Sequence, residues 1–295
     1  MKFENVEVWG FKHALRGMRN PLESWHKTDS FHGIVSDYDD ENDDVAYAWT
    51  GKDDECYDKE DFDIIREWLI NNGTLQYDFH SDLCNVAYIG PEDMKCAQKL
   101  IKAGPEHRKF LRQIFVSVDI TAPLYWWKEF DTYKIGTTAN STSTMHKIAS
   151  KPITLDCFEM GDWDKSVVSK EYLESILIPF LEGLRLIYLD HIKNAKALEE
   201  KGEKEKAERL RIIAKAHWKE LIRWLPESWL QTRTVTMSYE NLFTIYHQRK
   251  HHKLVEWSID FITWVKSLPY AASFITMEED MLMTMSEYLD KPQKI

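Results

Sequence analysis

The sequence lacks most of the local signatures that assign chemistry at sight. It has no Gly-x-Gly-x-x-Gly loop, no Gly-x-x-x-x-Gly-Lys-Ser/Thr loop, no His-Glu-x-x-His pair and no Gly-x-Ser-x-Gly elbow. Those absences exclude the common phosphate-cradling, zinc-hydrolase and serine-hydrolase motifs. Cysteine is sparse, and Cys56, Cys84, Cys96 and Cys157 form no Cys-x-x-Cys pair. That spacing argues against a disulfide framework and a thiolate zinc site, so reduced thiols are expected. No apolar run approaches the roughly 20 residues a bilayer span needs. Residues 1–10 carry Glu4 and Glu7 and show no apolar signal core, so a cytoplasmic protein is expected. Positive charge is also short: 38 Lys and Arg stand against 49 Asp and Glu, a formal charge of −11 that repels a polyphosphate chain and predicts no non-specific nucleic-acid binding.

What is present suffices for a packed core, since 43% of the 295 residues are hydrophobic. Apolar spacing predicts helices over 62–71, 92–103 and 171–198, and again over 239–249 and 254–267. Phe115 to Ile120 alternates with β-branched residues and predicts a half-buried strand that Ala122-Pro123 stops, with a helix opening at Leu124. The acid-rich stretch 37–63 reads as a solvated loop, because it lacks the register of a calcium-binding loop. The Lys/Glu-rich run 193–219 around Gly202 reads as an exposed helical hairpin. The expected class is α+β, with a central antiparallel-rich sheet and flanking helices in a single domain over 1–295.

Two segments invite a ligand. The basic cluster Arg249-Lys250-His251-His252-Lys253, with His247 just before it, concentrates positive charge in an acidic chain. It suits an anion or, equally, the C-terminal dipole of a helix. Thr137 to Thr144 is a run of hydroxyl and amide groups that suits a phosphate or, more simply, a turn. The histidines four apart gain no carboxylate or cysteine to complete a metal ligand set, so no metal is expected.

In order and spacing these segments resemble the flavin-dependent thymidylate synthases, whose signature Arg-His-Arg-x-x-Ser-x-Asn-Glu-x-Ser-x-Arg-Tyr follows a strand and an Ala-Pro step. Here Phe115–Ile120 stands for the strand, Ala122-Pro123 for the step and Trp126 to Phe130 for the lead-in helix. The leading Arg-His-Arg falls on Thr132, Tyr133 and Lys134, the Asn-Glu on Ala139-Asn140, the second Ser on Thr142 and the Arg-Tyr on Thr144-Met145. Downstream, Leu225-Pro226 precedes a helix ending in Arg249, as the family's Leu-Pro and Asn-x-x-x-x-Arg-x-x-x-His segment does. Thr244 takes the Asn position, and His252 or Lys253 the His position. Gly104-Pro105-Glu106-His107 is similar to a flavin-contacting segment.

The resemblance implies an enzyme of the methyltransferase kind that uses FAD on a pyrimidine nucleotide, with NADPH and methylenetetrahydrofolate if the full chemistry is kept. It implies a homotetramer with sites shared between subunits. Arg249 would be the catalytic, ring-facing residue. His107, Thr132, Tyr133, Lys134, Thr244, His252 and Lys253 would face flavin, and Glu129, Asn140, Thr142, Thr144 and Arg223 would face substrate. Two other readings stand beside it: a non-catalytic nucleotide-binding or structural homologue without flavin, and a flavoenzyme for a modified pyrimidine. Because Thr144 cannot make the bidentate phosphate contact of an arginine, inefficient thymidylate synthesis is expected.

Overall fold

A computed structural model describes residues 1–36, 45–49, 54–58, 75–77 and 83–277, with only the backbone described between 31 and 88. The chain forms two compact units: Met1–Asn5 with Val118–Val235, and Val6–Ser117 with Thr236–Ile295. Strands β1 (Lys2–Trp9), β7 (Phe115–Pro123), β8 (Thr137–Ser141) and β9 (Leu230–Ser238) make a four-stranded sheet in the order β1-β7-β9-β8. On one face of β7, Val116, Val118, Ile120 and Ala122 are buried. On the other, Ser117 meets Thr236 at 3.2 Å and Thr121 meets Thr232 at 2.7 Å. These partners step in opposite directions along the two strands, which are therefore antiparallel. Between them Asp119 accepts from the Thr234 hydroxyl at 2.5 Å and the Asn5 amide at 2.8 Å, and these bonds, Thr234 first, hold its carboxyl below the usual range. The alternation of apolar and hydroxyl residues is the period-2 pattern of a strand with one dry face. Pro123 lies inside β7 rather than beyond it, at the last position, where a missing N–H is tolerated.

In the first unit, α3 (Leu124–Phe130) buries Trp126, Trp127 and Phe130 immediately after β7. Helix α4 (Thr144–Lys147) is capped by the Ser143 hydroxyl, which accepts from the His146 N–H. Helices α5 (Ile178–Glu200) and α6 (Lys204–Arg223) form the expected hairpin around Gly202, whose φ of 78° suits a residue without Cβ. Buried Ala207, Ala214 and Leu221 recur every seven residues and let the two helices approach closely. Glu182 and Arg185 on α5 tie the preceding loop down: Arg185 Nη1 donates to the Ala149 carbonyl at 3.0 Å, and Glu182 accepts from the Ile153 N–H at 2.8 Å. Ile148, Ile153, Phe158, Leu181 and Leu221 close the core there.

In the second unit, α1 (Phe11–Arg19) presents Phe11, Ala14, Leu15 and Met18 at helical spacing to the core. Its N-cap, Gly10, has φ 101°, and a Cβ there would lie 1.9 Å from the Gln113 carbonyl oxygen, so glycine is required on both grounds. Helix α2 (Pro91–Ala103) starts with proline at its first turn, and the Asp29 carboxylate accepts from the N–H groups of Glu92 and Asp93 at 2.8 and 3.0 Å. Helix α7 (Tyr239–Arg249) is closed by a reciprocal capping box between Ser238 and Asn241. A wide turn (Glu256–Phe261) leads into α8 (Ile262–Lys266). Strands β2 (Phe31–Ser36), β3 (Val45–Trp49), β4 (Asp54–Asp58), β5 (Leu75–Tyr77) and β6 (Leu83–Tyr88) form an antiparallel sheet in the order β4-β3-β2-β6-β5.

Two expectations need correction. The stretch 37–63 is not simply a loop, since β3 and β4 pair within it, Val45 against Asp58 through Trp49 against Asp54. Backbone pairing outweighs the acid-rich composition there. Thr137–Ser141 is a strand rather than a turn, because the edge of β9 supplies hydrogen-bond partners that a local reading cannot see. The strand β9 itself was not anticipated. The helix expected over 62–71 lies outside the described residues.

Candidate functional site

The anticipated site residues divide between the two units. In the second unit, α7 ends in Arg249, whose guanidinium carbon stands 5.1 Å from the centre of the Trp257 ring. The His252 ring lies 6.3 Å from the same indole, edge to face, and its Nδ1 accepts from the Leu254 N–H at 3.1 Å. Trp257 is fully buried, so Arg249 and His252 gather at the outer edge of a fixed aromatic wall. Lys253 is exposed beside them. Thr244 donates its hydroxyl to the Glu240 carbonyl at 3.1 Å, back along its own helix, and is half-buried. His107 is exposed at the start of the turn Arg108–Gln113.

The neighbouring Arg108 was not anticipated. Its Nε donates to both carboxylate oxygens of Glu240 at 3.1 and 3.0 Å, and its guanidinium carbon lies 4.2 Å from the Phe243 ring centre. The next turn of α7 carries His247, with Phe243 4.5 Å away and Nε2 3.1 Å from the Ile275 carbonyl oxygen. Although His247 is exposed, partial desolvation of its ring beside Phe243, and then repulsion by Lys250 and Arg108, pull its pKa down against the opposing Ile275 hydrogen bond, a shift that solvent screening keeps modest. A histidine that protonates less readily folded than unfolded gives stability that is complete above the ordinary value of about 6.5 and is lost as pH falls below it. The urea midpoint of the protein should therefore drop between about pH 7.5 and about pH 5.5 by more than that of His247→Gln. Equal drops in both proteins would remove His247 from the cause.

In the first unit the motif positions after α3 are mostly spent or exposed. The Thr132 hydroxyl donates to the Glu129 carbonyl at 2.7 Å, the half-buried Tyr133 ring lies 6.5 Å from Phe130, and Lys134 and Asn140 are exposed. Arg223 is paired with Glu220 on the exposed end of α6. Thr142 and Thr144 are brought together by Gln231 of β9, whose Nε2 donates to the Thr142 carbonyl at 3.1 Å and the Thr144 hydroxyl at 3.2 Å. Gln231 Oε1 in turn accepts from Arg233 Nε at 3.0 Å. Arg233 Nη1 donates to Asp131 at 2.7 Å, and its guanidinium carbon lies 4.2 Å from the Trp127 ring centre. Reading the sequence missed Arg233, although a signal was there: in Gln231, Arg233, Val235 and Met237 every second residue shares a face, and two polar members sit in line with two buried ones.

Among the described residues, no three His, Cys, Asp or Glu side chains converge to hold a metal ion, and no helix is long and apolar enough to cross a membrane.

No protein-family model matches the chain, and no curated protein matches it in sequence. Solved structures do. One is a crystal structure of the flavin-dependent thymidylate synthase ThyX from Helicobacter pylori complexed with FAD and dUMP, at a TM-score of 0.51 and 11% identity over 93% of this chain and 97% of that one. Another structure of ThyX from Helicobacter pylori with FAD and dUMP gives a TM-score of 0.49 at 11% identity, over 92% and 95% of the two chains. At such identity the first likeness speaks for the fold: mixed helix and sheet around a four-stranded antiparallel sheet.

Proposed function

We propose that the protein is a flavin-dependent enzyme of the thymidylate synthase-like kind, acting on a pyrimidine nucleotide through Arg249. The observation that carries this reading is Arg249 held with His252 at the Trp257 ring, on the helix where the resemblance expects a ring-facing arginine, in a chain of the same fold as an FAD- and dUMP-bound synthase. A planar guanidinium on an aromatic wall is suited to donate to a pyrimidine carbonyl. Flavin, when bound, supplies hydride chemistry, while the protein binds and orients. The side chains meet an anionic cofactor in part: Lys134 offers an exposed ammonium, but the Thr132 hydroxyl is engaged with its own helix end.

That engaged hydroxyl, with Tyr133 and Thr144 in place of cations, favours the second reading, a nucleotide-binding homologue without flavin. Colour separates the two. Purified protein that is yellow, or that takes up added FAD, supports the enzyme; a colourless protein that takes up none supports the homologue. In either case Arg249→Ala is expected to weaken dUMP binding by about 1.5–3 kcal/mol, the scale of a charge-assisted hydrogen bond. An unchanged affinity by calorimetry removes Arg249 from the site.

A further inference from the structure

We propose that Arg233 is a phosphate-binding residue, poised by Asp131 and Gln231 to receive the oxyanion of the ligand; this rests on the nucleotide reading above only for the ligand's identity. A guanidinium carries five N–H donors. Among the described residues Arg233 uses one on Gln231 and one on Asp131, so the other donors of a side chain only 16% exposed make no protein hydrogen bond. Its carboxylate partner is 51% exposed and faces water, so the cation is incompletely neutralised where its own solvation is already reduced. Trp127, fully buried, packs against the guanidinium, and Gln231 fixes its Nε edge. The side chain is thus held in one orientation before any ligand arrives, which lowers the ordering cost of binding.

Gln231 also holds Thr142 and Thr144, so the cation stands two hydrogen bonds from the position where the signature arginine has become threonine. A cation entering from β9 in this way restores charge beside Thr144 from a different element. In the free protein Asp131 acts as the counter-ion that an incoming phosphate oxyanion replaces.

The test uses calorimetry on the full chain with dUMP, deoxyuridine, FAD and inorganic pyrophosphate. Arg233→Gln is expected to lose about tenfold or more in affinity for the phosphate-bearing ligand and none for deoxyuridine. Because that change also removes a packed side chain, Asp131→Asn is the second variant: it keeps Arg233, removes its competitor and is expected to tighten phosphate binding several-fold. A purely structural Arg233 leaves that affinity unchanged. Tightening for dUMP assigns the nucleotide phosphate, tightening for FAD alone assigns the flavin pyrophosphate, and both support the site. Pyrophosphate binding that follows the same variants in a protein that binds neither dUMP nor FAD supports the site while the proposed function falls. Nucleotide binding that responds to Arg249→Ala but to neither Arg233→Gln nor Asp131→Asn overturns the site and leaves the function standing, and wild-type protein that binds none of these anions overturns both.

Discussion

Replacing Asp93 with alanine should cost about 3–5 kcal/mol of folding stability, the range for removing one partner of a buried ion pair. Asp93 lies on the first turn of α2 with no exposed surface, and Arg19 at the end of α1 is 6% exposed. Arg19 Nε donates to Asp93 Oδ1 at 2.5 Å, and the Thr28 hydroxyl donates to Oδ2 at 2.5 Å. The alanine variant leaves a desolvated guanidinium without its carboxylate, and that stranded charge, rather than the lost attraction, dominates the loss. Putting Met at 19 and Leu at 93 together should recover much of the stability, since an apolar pair of similar volume carries no desolvation debt. Urea unfolding of Arg19→Met, Asp93→Leu and the double variant measures the coupling. A cost below about 1 kcal/mol for Asp93→Ala would mean that water reaches Arg19 and that the pair is not a buried one.

The same pair marks what could be read in advance and what could not. Arg19 and Asp93 are 74 residues apart, and nothing local in either segment names the other. Helix α7 was legible to the residue because its determinants are contiguous: a Ser238/Asn241 box at one end, a basic cluster at the other and an apolar stripe between. Gly202 marked the hairpin for the same reason, as a local break between two charged helices. The hydroxyl-rich Thr137–Ser141 looked like a turn because its strand character comes from β9, which pairs from far along the chain. Arg249 and His252 were legible as a cluster because they lie within one turn and its helix end. Arg233 was not, since its partners Trp127 and Asp131 are about a hundred residues away and only the pairing of β9 turns it towards them.

The protein should not sustain a bacterium that lacks its own thymidylate synthase when thymidine is withheld. Three departures from the signature of the family the chain resembles motivate this: Thr144 where that signature has a phosphate-clamping arginine, Thr132-Tyr133 where it has the leading Arg-His, and Asn140 where it has the glutamate. Each lost charge-assisted contact is worth about 1.5–3 kcal/mol, so two or three losses left uncompensated lower catalytic efficiency by a factor on the order of a thousand or more. The side-chain geometry sharpens the expectation for Thr132, whose hydroxyl already donates to Glu129, and for Arg223, whose charge is matched by Glu220. Lys134 and Arg233 are the cations that work against the prediction, the first exposed and the second half-neutralised beside Thr142 and Thr144. The two outcomes therefore separate cleanly by variant. If the cells grow without thymidine, Arg233→Gln should abolish that growth, because Arg233 would then be carrying the phosphate in place of the missing arginine. Growth that survives the loss of both Arg233 and Lys134 would mean that the signature cations are dispensable for this chemistry and that the thousandfold expectation is wrong.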